Sequence, residues 1–256
     1  MKITDNKIKD INEYTEAMKK SLYEKAFFLG KINADSFLDY GCADGTLLKF
    51  IQSMYFSYPN YKYIGYDICQ EMLEKAKKDN QDIIFTDNLD SFIKEKTENS
   101  VLVLSSIIHE IYSYSNPSNF WEEVFEKINT KYIVIRDMMI VSSQEKLSNP
   151  ELVRRVKMAE NDNLVDFEKN WGSITSNKNL LHYLLKYRYI NNWEREVKEN
   201  YLPITVQELI AKIPDNYKIT YLNLYLPKFI KNTIEEDFGI DLKEDTHVEM
   251  IIERID

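Results

Sequence analysis

The chain has 256 residues, is 44% hydrophobic and carries a net charge of -9, with a pI near 5.1. That length suits one large α/β domain or two small ones, with enough apolar residues for a sizeable core. The acidic balance speaks against a binder of DNA or of anionic membranes, which normally present basic surfaces. The two cysteines, Cys42 and Cys69, make neither a disulfide framework nor a zinc spacing. The start, Met1-Lys2-Ile3-Thr4-Asp5, has no apolar signal core, and no apolar run approaches the roughly 18 residues of a membrane span. A reduced, cytoplasmic setting is the expectation.

Residues 5–30 read as a helix within an N-terminal cap (1–30), with Ile8, Ile11, Thr15, Met18 and Leu22 on one face. An alternation of strands and helices follows. Residues 36–40 read as a strand, 46–54 as a helix, 61–67 as a strand and 70–78 as a helix with Met72, Leu73 and Ala76 inward. Residues 82–86 read as a strand, 89–96 as a helix, and 100–106 as a strand buried on both faces. Asn119 and Glu122 have the spacing of a capping box for a helix to about Ile128. A fifth strand is expected over 131–136. Residues 142–212 show no strand pattern and read as several helices; strands return at 218–226 and 247–253. The expectation is an α/β, three-layer, doubly wound sheet of seven strands, mostly parallel with an antiparallel last strand. Residues 31–141 and 213–256 would form the nucleotide-binding domain. A helical lid, 142–212, is inserted between strands five and six.

Glycine is scarce, with six in all, yet Gly41 and Gly45 lie four positions apart. They fall between the first strand and the following helix, in Asp39-Tyr40-Gly41-Cys42-Ala43-Asp44-Gly45. That context favours a ligand-binding turn: a residue without a side chain lets the backbone bend tightly and approach a ligand, and the helix start offers free N–H groups to an anion. Asp39, at the strand end, is placed to hold a cationic amine. Asp67 ends the second strand, where an acid hydrogen-bonds ribose hydroxyls. Asp87 follows the third strand.

These residues resemble the class I S-adenosylmethionine (SAM) dependent methyltransferases. Asp39-x-Gly41-x-Ala43-x-Gly45 matches the family's first motif, an acid followed by alternate glycines, with Ala43 replacing the middle glycine. The stretch from Tyr66-Asp67-Ile68 to Ala76 looks like its second motif. The resemblance covers 30–137 well and the last forty residues loosely. It implies a Rossmann-like fold, SAM as cofactor and S-adenosylhomocysteine (SAH) as product. It assigns Asp67 to the ribose, Asp87 to the adenine amino group and Asp39 to the methionine end, with Gly41, Ala43, Gly45, Ile68, Asn88 and Ser105 around the donor. A dinucleotide domain would prefer Gly-x-Gly-x-x-Gly, which this turn does not fit.

The fourth strand runs into Ser105-Ser106-Ile107-Ile108-His109-Glu110-Ile111-Tyr112, resembling the Leu-His-Asp-Trp stretch of small-molecule O-methyltransferases. The resemblance makes His109 a candidate general base, since imidazole titrates near neutrality. A structural or donor-lining histidine is the alternative. Asp137, ending strand five, is a candidate partner for His109. The Asn/Asp-Pro-Pro-aromatic run of nucleic-acid amino-methyltransferases is absent. His109, Glu110, Asp137 and His182 could in composition hold a metal, but their spacing carries no metal signature, and none is expected.

The insert holds four of the six arginines: Arg154, Arg155, Arg188 and Arg195. Residues 145–200 contain ten basic and nine acidic residues, so this stretch is +1 in a chain of -9. Arginine suits a two-pronged grip on phosphate or carboxylate. Arg136, Arg154, Arg155 and Arg188 are therefore candidate acceptor contacts, while Glu194-Arg195-Glu196 reads as internal pairing. The expected activity is methyl transfer to a small, anionic or hydroxyl-bearing acceptor. An RNA-terminus methyltransferase and a non-catalytic SAM-binding subunit are the alternatives.

Overall fold

The computed structural model describes residues 21–141, 146–159 and 162–255. Among the described residues seven strands are present: β1 (Ser36–Tyr40), β2 (Lys62–Tyr66), β3 (Ile84–Thr86), β4 (Ser100–Ser105), β5 (Tyr132–Met138), β6 (Tyr217–Tyr225) and β7 (His247–Arg254). They form one sheet in the order β3-β2-β1-β4-β5-β7-β6. β1 pairs parallel to both β2 and β4, so the chain reverses its direction of travel across the sheet there and opens a crevice at the strand ends. β7 runs antiparallel to both β5 and β6 and is the one reversed strand.

Alternate side chains bind the two faces of the sheet to their helices. On one face Leu38, Ile64, Leu102, Leu104, Ile133 and Ile135 pack with Phe92, Ile108, Phe120 and Trp121. On the other, Phe37, Tyr63, Val101, Val103 and Val134 pack with Phe28, Leu47, Leu48, Ile51 and Leu73. All six β4 residues are buried, the condition of a central strand covered on both sides.

A third cluster belongs to the helical insertion between β5 and β6, with Val156, Phe167, Leu180, Tyr183, Leu184 and Leu202 at its centre. Ile230, Ile234, Ile240 and Leu242 join it. Ile230 and Ile234 project from a helix over Lys228–Phe238, so the segment between β6 and β7 packs with the insertion. That helix and another, Ile108–Tyr114, are absent from the sequence reading.

Two local expectations need correction. Asn116, not Asn119, caps the helix before β5: its Oδ1 accepts the Ser118 N–H at 3.0 Å, and Pro117 takes the first helical position. The helix then widens into a π turn over Glu123–Ile128. The N-terminal helix ends at Lys25 in the described residues, not at 30. Phe28 is pulled into the sheet core instead. Ile8, Ile11, Thr15 and Met18 lie outside the described residues.

Candidate active site

The turn after β1 has a left-handed backbone at Gly41, Ala43 and Gly45, with φ of 83°, 46° and 76°. Amides of Gly41 and Cys42 both donate to the Tyr66 carbonyl, at 2.8 and 3.1 Å, tying the turn to β2. A Cβ on Gly41 would lie 2.6 Å from Ile107 Cδ1, and one on Gly45 2.5 Å from Phe85 Cζ. Ala43 keeps its left-handed conformation despite its side chain, at a cost of about 1–2 kcal/mol. Its amide is braced by Asp67 Oδ2 at 2.8 Å. Ala43→Gly should therefore raise stability by about 0.5–1 kcal/mol, the relieved strain less the greater unfolded-state entropy of glycine. A denaturation midpoint that shifts upward at unchanged slope is the expected reading.

Beside the turn lies a cavity of about 280 Å³. Gly41, Ala43, Asp67, Ile68, Ser105 and Ile107 form much of its wall. Asp67 spends one oxygen on Ala43 and the other on the Cys69 amide at 2.8 Å. Each oxygen keeps acceptor capacity toward the cavity. Asp39, next but one to Gly41 in β1, is buried, is not itself among the wall residues, and has no side-chain hydrogen bond among the described residues. Burial pushes its carboxyl up to about 7, Asp67 adds to that and Lys25 opposes it. Gly45, Asp87 and Asn88 are not wall residues. Asp87 is exposed and accepts Gln70 Nε2 at 2.6 Å; Asn88 caps the next helix through the Ser91 amide at 2.8 Å.

A second cavity, about 100 Å³, opens between the sheet and the insertion. His109, Glu110, Arg136, Arg188, Arg195, Glu196, Glu199 and Tyr201 line it. Lys25, Ser106 and Glu110 line both cavities. Ser106 is itself left-handed, at φ 57°. Its amide donates to the Arg136 carbonyl at 2.8 Å.

His109 is buried with Nδ1 2.7 Å from Asp137 Oδ1 and Nε2 3.5 Å from Glu199 Oε1. Burial pulls its pKa down, but Asp137, Glu199 and Glu110 outweigh that and raise it to about 9. These carboxylates favour the charged ring, whereas the base role read from the sequence would use the neutral one. Asp137, at the end of β5, orients the ring. Burial pushes the Asp137 carboxyl up, yet His109 and the amides of Met138 and Ile108 hold it below its ordinary value.

The arginines separate. Arg136 is already engaged, by Tyr225 Oη at 3.0 Å, Ser106 Oγ at 3.2 Å and Glu24 Oε2 at 2.8 Å. Arg154 and Arg155 lie on an exposed helix, paired with Glu151, and line neither cavity. Charge reversal at either should leave SAH affinity and acceptor KM within about twofold, as for exposed pairs worth under 1 kcal/mol; calorimetry and steady-state rates check this. Arg188 does line the second cavity, over the Phe229 ring at 5.2 Å, with no carboxylate in ion-pair range among the described residues. Arg195 bonds Glu196 at 2.8 Å, as its sequence neighbours imply, and reaches Glu110 at 3.1 Å. Glu199 was missed; nothing in its spacing ties it to His109. His182 is buried in the insertion, where its Nε2 accepts the Tyr201 amide at 3.1 Å. His247 is buried, with Nδ1 2.9 Å from Thr246 Oγ1, and it too lines the second cavity.

No protein-family model and no curated protein sequence matches the chain. Solved structures do match its fold. The plantazolicin methyltransferase BamL, in complex with a triazolic desmethylPZN analog and SAH, superposes with a TM-score of 0.52 at 11% identity, covering 96% of this chain and 88% of its own. A SAM-dependent methyltransferase from Mesorhizobium loti gives 0.51 at 11% identity, covering 92% and 98%. The pyocyanin biosynthetic protein PhzM gives 0.50 at 12% identity, covering 94% of this chain but 56% of its own. Identities this low speak for the fold. The chain has the class I, Rossmann-like SAM-dependent methyltransferase fold, with a mixed seven-stranded sheet and a helical insertion between β5 and β6.

Proposed function

We propose that this chain is a SAM-dependent methyltransferase acting on a small-molecule acceptor. The observation that carries the reading is the seam between the cavities. They meet at Lys25, Ser106 and Glu110, so a donor seated on the glycine turn would present its methyl group to an acceptor under the insertion. Holding two reactants in line across such a seam supplies much of the rate in a displacement reaction.

The residues fit the donor. Gly41 and Ala43 bring backbone close to the ligand, Asp67 would accept from the ribose hydroxyls, and Ile68, 60% exposed, offers an apolar surface to the adenine. Ser105 completes the wall. Asp39 would face the methionine amine, whose positive charge answers a buried carboxylate lacking hydrogen bonds. Gly45, Asp87 and Asn88 shape the turn and the neighbouring loop. On the acceptor side, Arg188 supports an anionic group. An acceptor that is already an anion needs no base; a hydroxyl must lose its proton, which His109 could take only in its neutral form.

Calorimetric binding of SAM and SAH tests the reading, and absence of binding overturns it. The pH dependence carries a sign. Asp39 is raised to about 7, so below that pH the free protein holds a proton there that the cationic amine must displace. Affinity for SAM should be full above pH 7 and fall up to about tenfold for each unit below it. Flat affinity from pH 8 to 5.5 would remove Asp39 from the amine contact.

A further inference from the structure

The charged cluster on the floor of the second cavity has a geometry that methyl transfer alone does not call for. His109, Glu110 and Glu199 each bring one ligand atom to within 4.8 Å of the others. Donors sharing an ion at about 2.0–2.2 Å lie roughly 3–4 Å apart, so a small inward movement closes the set. Glu199 points to a missing partner. Its side chain is 1% exposed, and neither carboxylate oxygen has a hydrogen bond. Oε1 stands 3.5 Å from His109 Nε2, and Oε2 stands 3.2 Å from Arg195 Nη1, close enough for ion pairing but not aligned as hydrogen bonds.

Each of the three is also held from behind. Asp137 Oδ1 takes His109 Nδ1 at 2.7 Å, which leaves Nε2 facing Glu199. Arg195 takes Glu110 Oε1 at 3.1 Å and lies against Glu199 Oε2. Metal ligands are typically oriented in this way, a carboxylate on the far ring nitrogen and donors on the non-ligating carboxylate oxygens. Lys25, Arg136 and Arg188 also line the cavity.

We propose that His109, Glu110 and Glu199 bind one divalent transition-metal ion whose open positions face the second cavity. One imidazole and two carboxylates suit Zn(II) or Mn(II) better than Mg(II), which prefers oxygen and water. Glu110 lines the donor cavity as well, so the ion sits at the seam. There it would take an acceptor hydroxyl and lower its pKa. The O–H bond yields its proton to solvent, the oxygen attacks the methyl carbon, the carbon–sulfur bond breaks, and a methyl ether and SAH result. This catalytic use rests on the methyltransferase reading; the metal site does not.

The test uses the full chain, stripped with chelator and titrated with Zn(II) and separately with Mn(II) by calorimetry. SAH is titrated into the same samples. One ion per chain is expected. Glu199→Gln and His109→Gln should each weaken the binding at least about tenfold, while Arg154→Glu leaves it unchanged. Retained SAH affinity shows that the variants are folded. Metal binding without SAH binding supports the site and overturns the methyltransferase reading. SAH binding with no metal uptake, or uptake undiminished in both variants, overturns the site.

Discussion

Asp137→Ala is expected to lower folding stability by about 3–5 kcal/mol, the loss that follows when one partner of a buried ion pair is removed. The side chain is inaccessible to solvent and holds four donors. His109 Nδ1 lies at 2.7 Å, the Met138 amide at 2.7 Å, and the amides of Ile108 and His109 at 2.8 and 3.4 Å. Alanine would strand the buried imidazole and leave the first amides of the helix Ile108–Tyr114 without an acceptor. Each unsatisfied buried donor costs about 1–3 kcal/mol. Asp137→Asn keeps the shape and one accepting oxygen but turns its NH2 toward the two donors of the other, so its loss should be smaller. The pH dependence follows from the lowered carboxyl. The stabilisation is present above the unfolded value, near 3.9, and is lost as pH falls through the folded one. Wild type and variant should converge in acid. Denaturant unfolding at pH 7 and in acid is the measurement; a loss below about 1 kcal/mol at pH 7 would contradict the described network.

The turn after β1 was legible because its signals are local. β1 was read to the residue from a short apolar run, and the turn that follows needs left-handed backbone at Gly41 and Gly45, which glycine supplies. Asp67 follows a parallel strand whose end is fixed by pairing with β1 and β3. Local reading failed where two signals competed. Asn119 and Glu122 have capping-box spacing, but Asn116-Pro117 is stronger, because proline suits the first helical position. Arg154 and Arg155 stand three and four residues after Glu151, the spacing of pairs on one helix face, and that signal was available to exclude them from the cleft. The cavity under the insertion was less legible. Glu199 meets His109 only because the insertion folds back over β4 and β5, with its own core completed by Ile230 and Ile234. No sequence period joins residues so far apart. His109 shows the same limit. Its titration depends on Asp137, Glu110 and Glu199 together, and of these Glu199 could not be placed from the sequence.

Asp67→Ala should weaken SAM and SAH binding by at least about 100-fold, since hydrogen bonds to a charged acceptor contribute about 1.5–3 kcal/mol each and a ribose offers two donors. The loss is larger than the ligand contacts alone because the same carboxylate shapes the turn. Ala43 is held left-handed through Asp67 Oδ2, and the Cys69 amide at the next helix start through Oδ1. Without that brace Ala43 can relax toward the right-handed region, and the backbone against the donor shifts. Asp67→Asn separates the two effects. It retains one oxygen acceptor, so whichever amide it keeps is still braced, while the charge that strengthens the ribose bonds is gone. The expected order of affinity is wild type, then Asp67→Asn, then Asp67→Ala. Ala43→Gly placed in the Asp67→Ala background should recover little, because glycine frees the turn without restoring the acceptor. Calorimetry with SAH measures all four proteins. If Asp67→Ala bound SAH within threefold of wild type, the ribose would lie elsewhere, and the strand-end acid would be only a structural anchor for the turn.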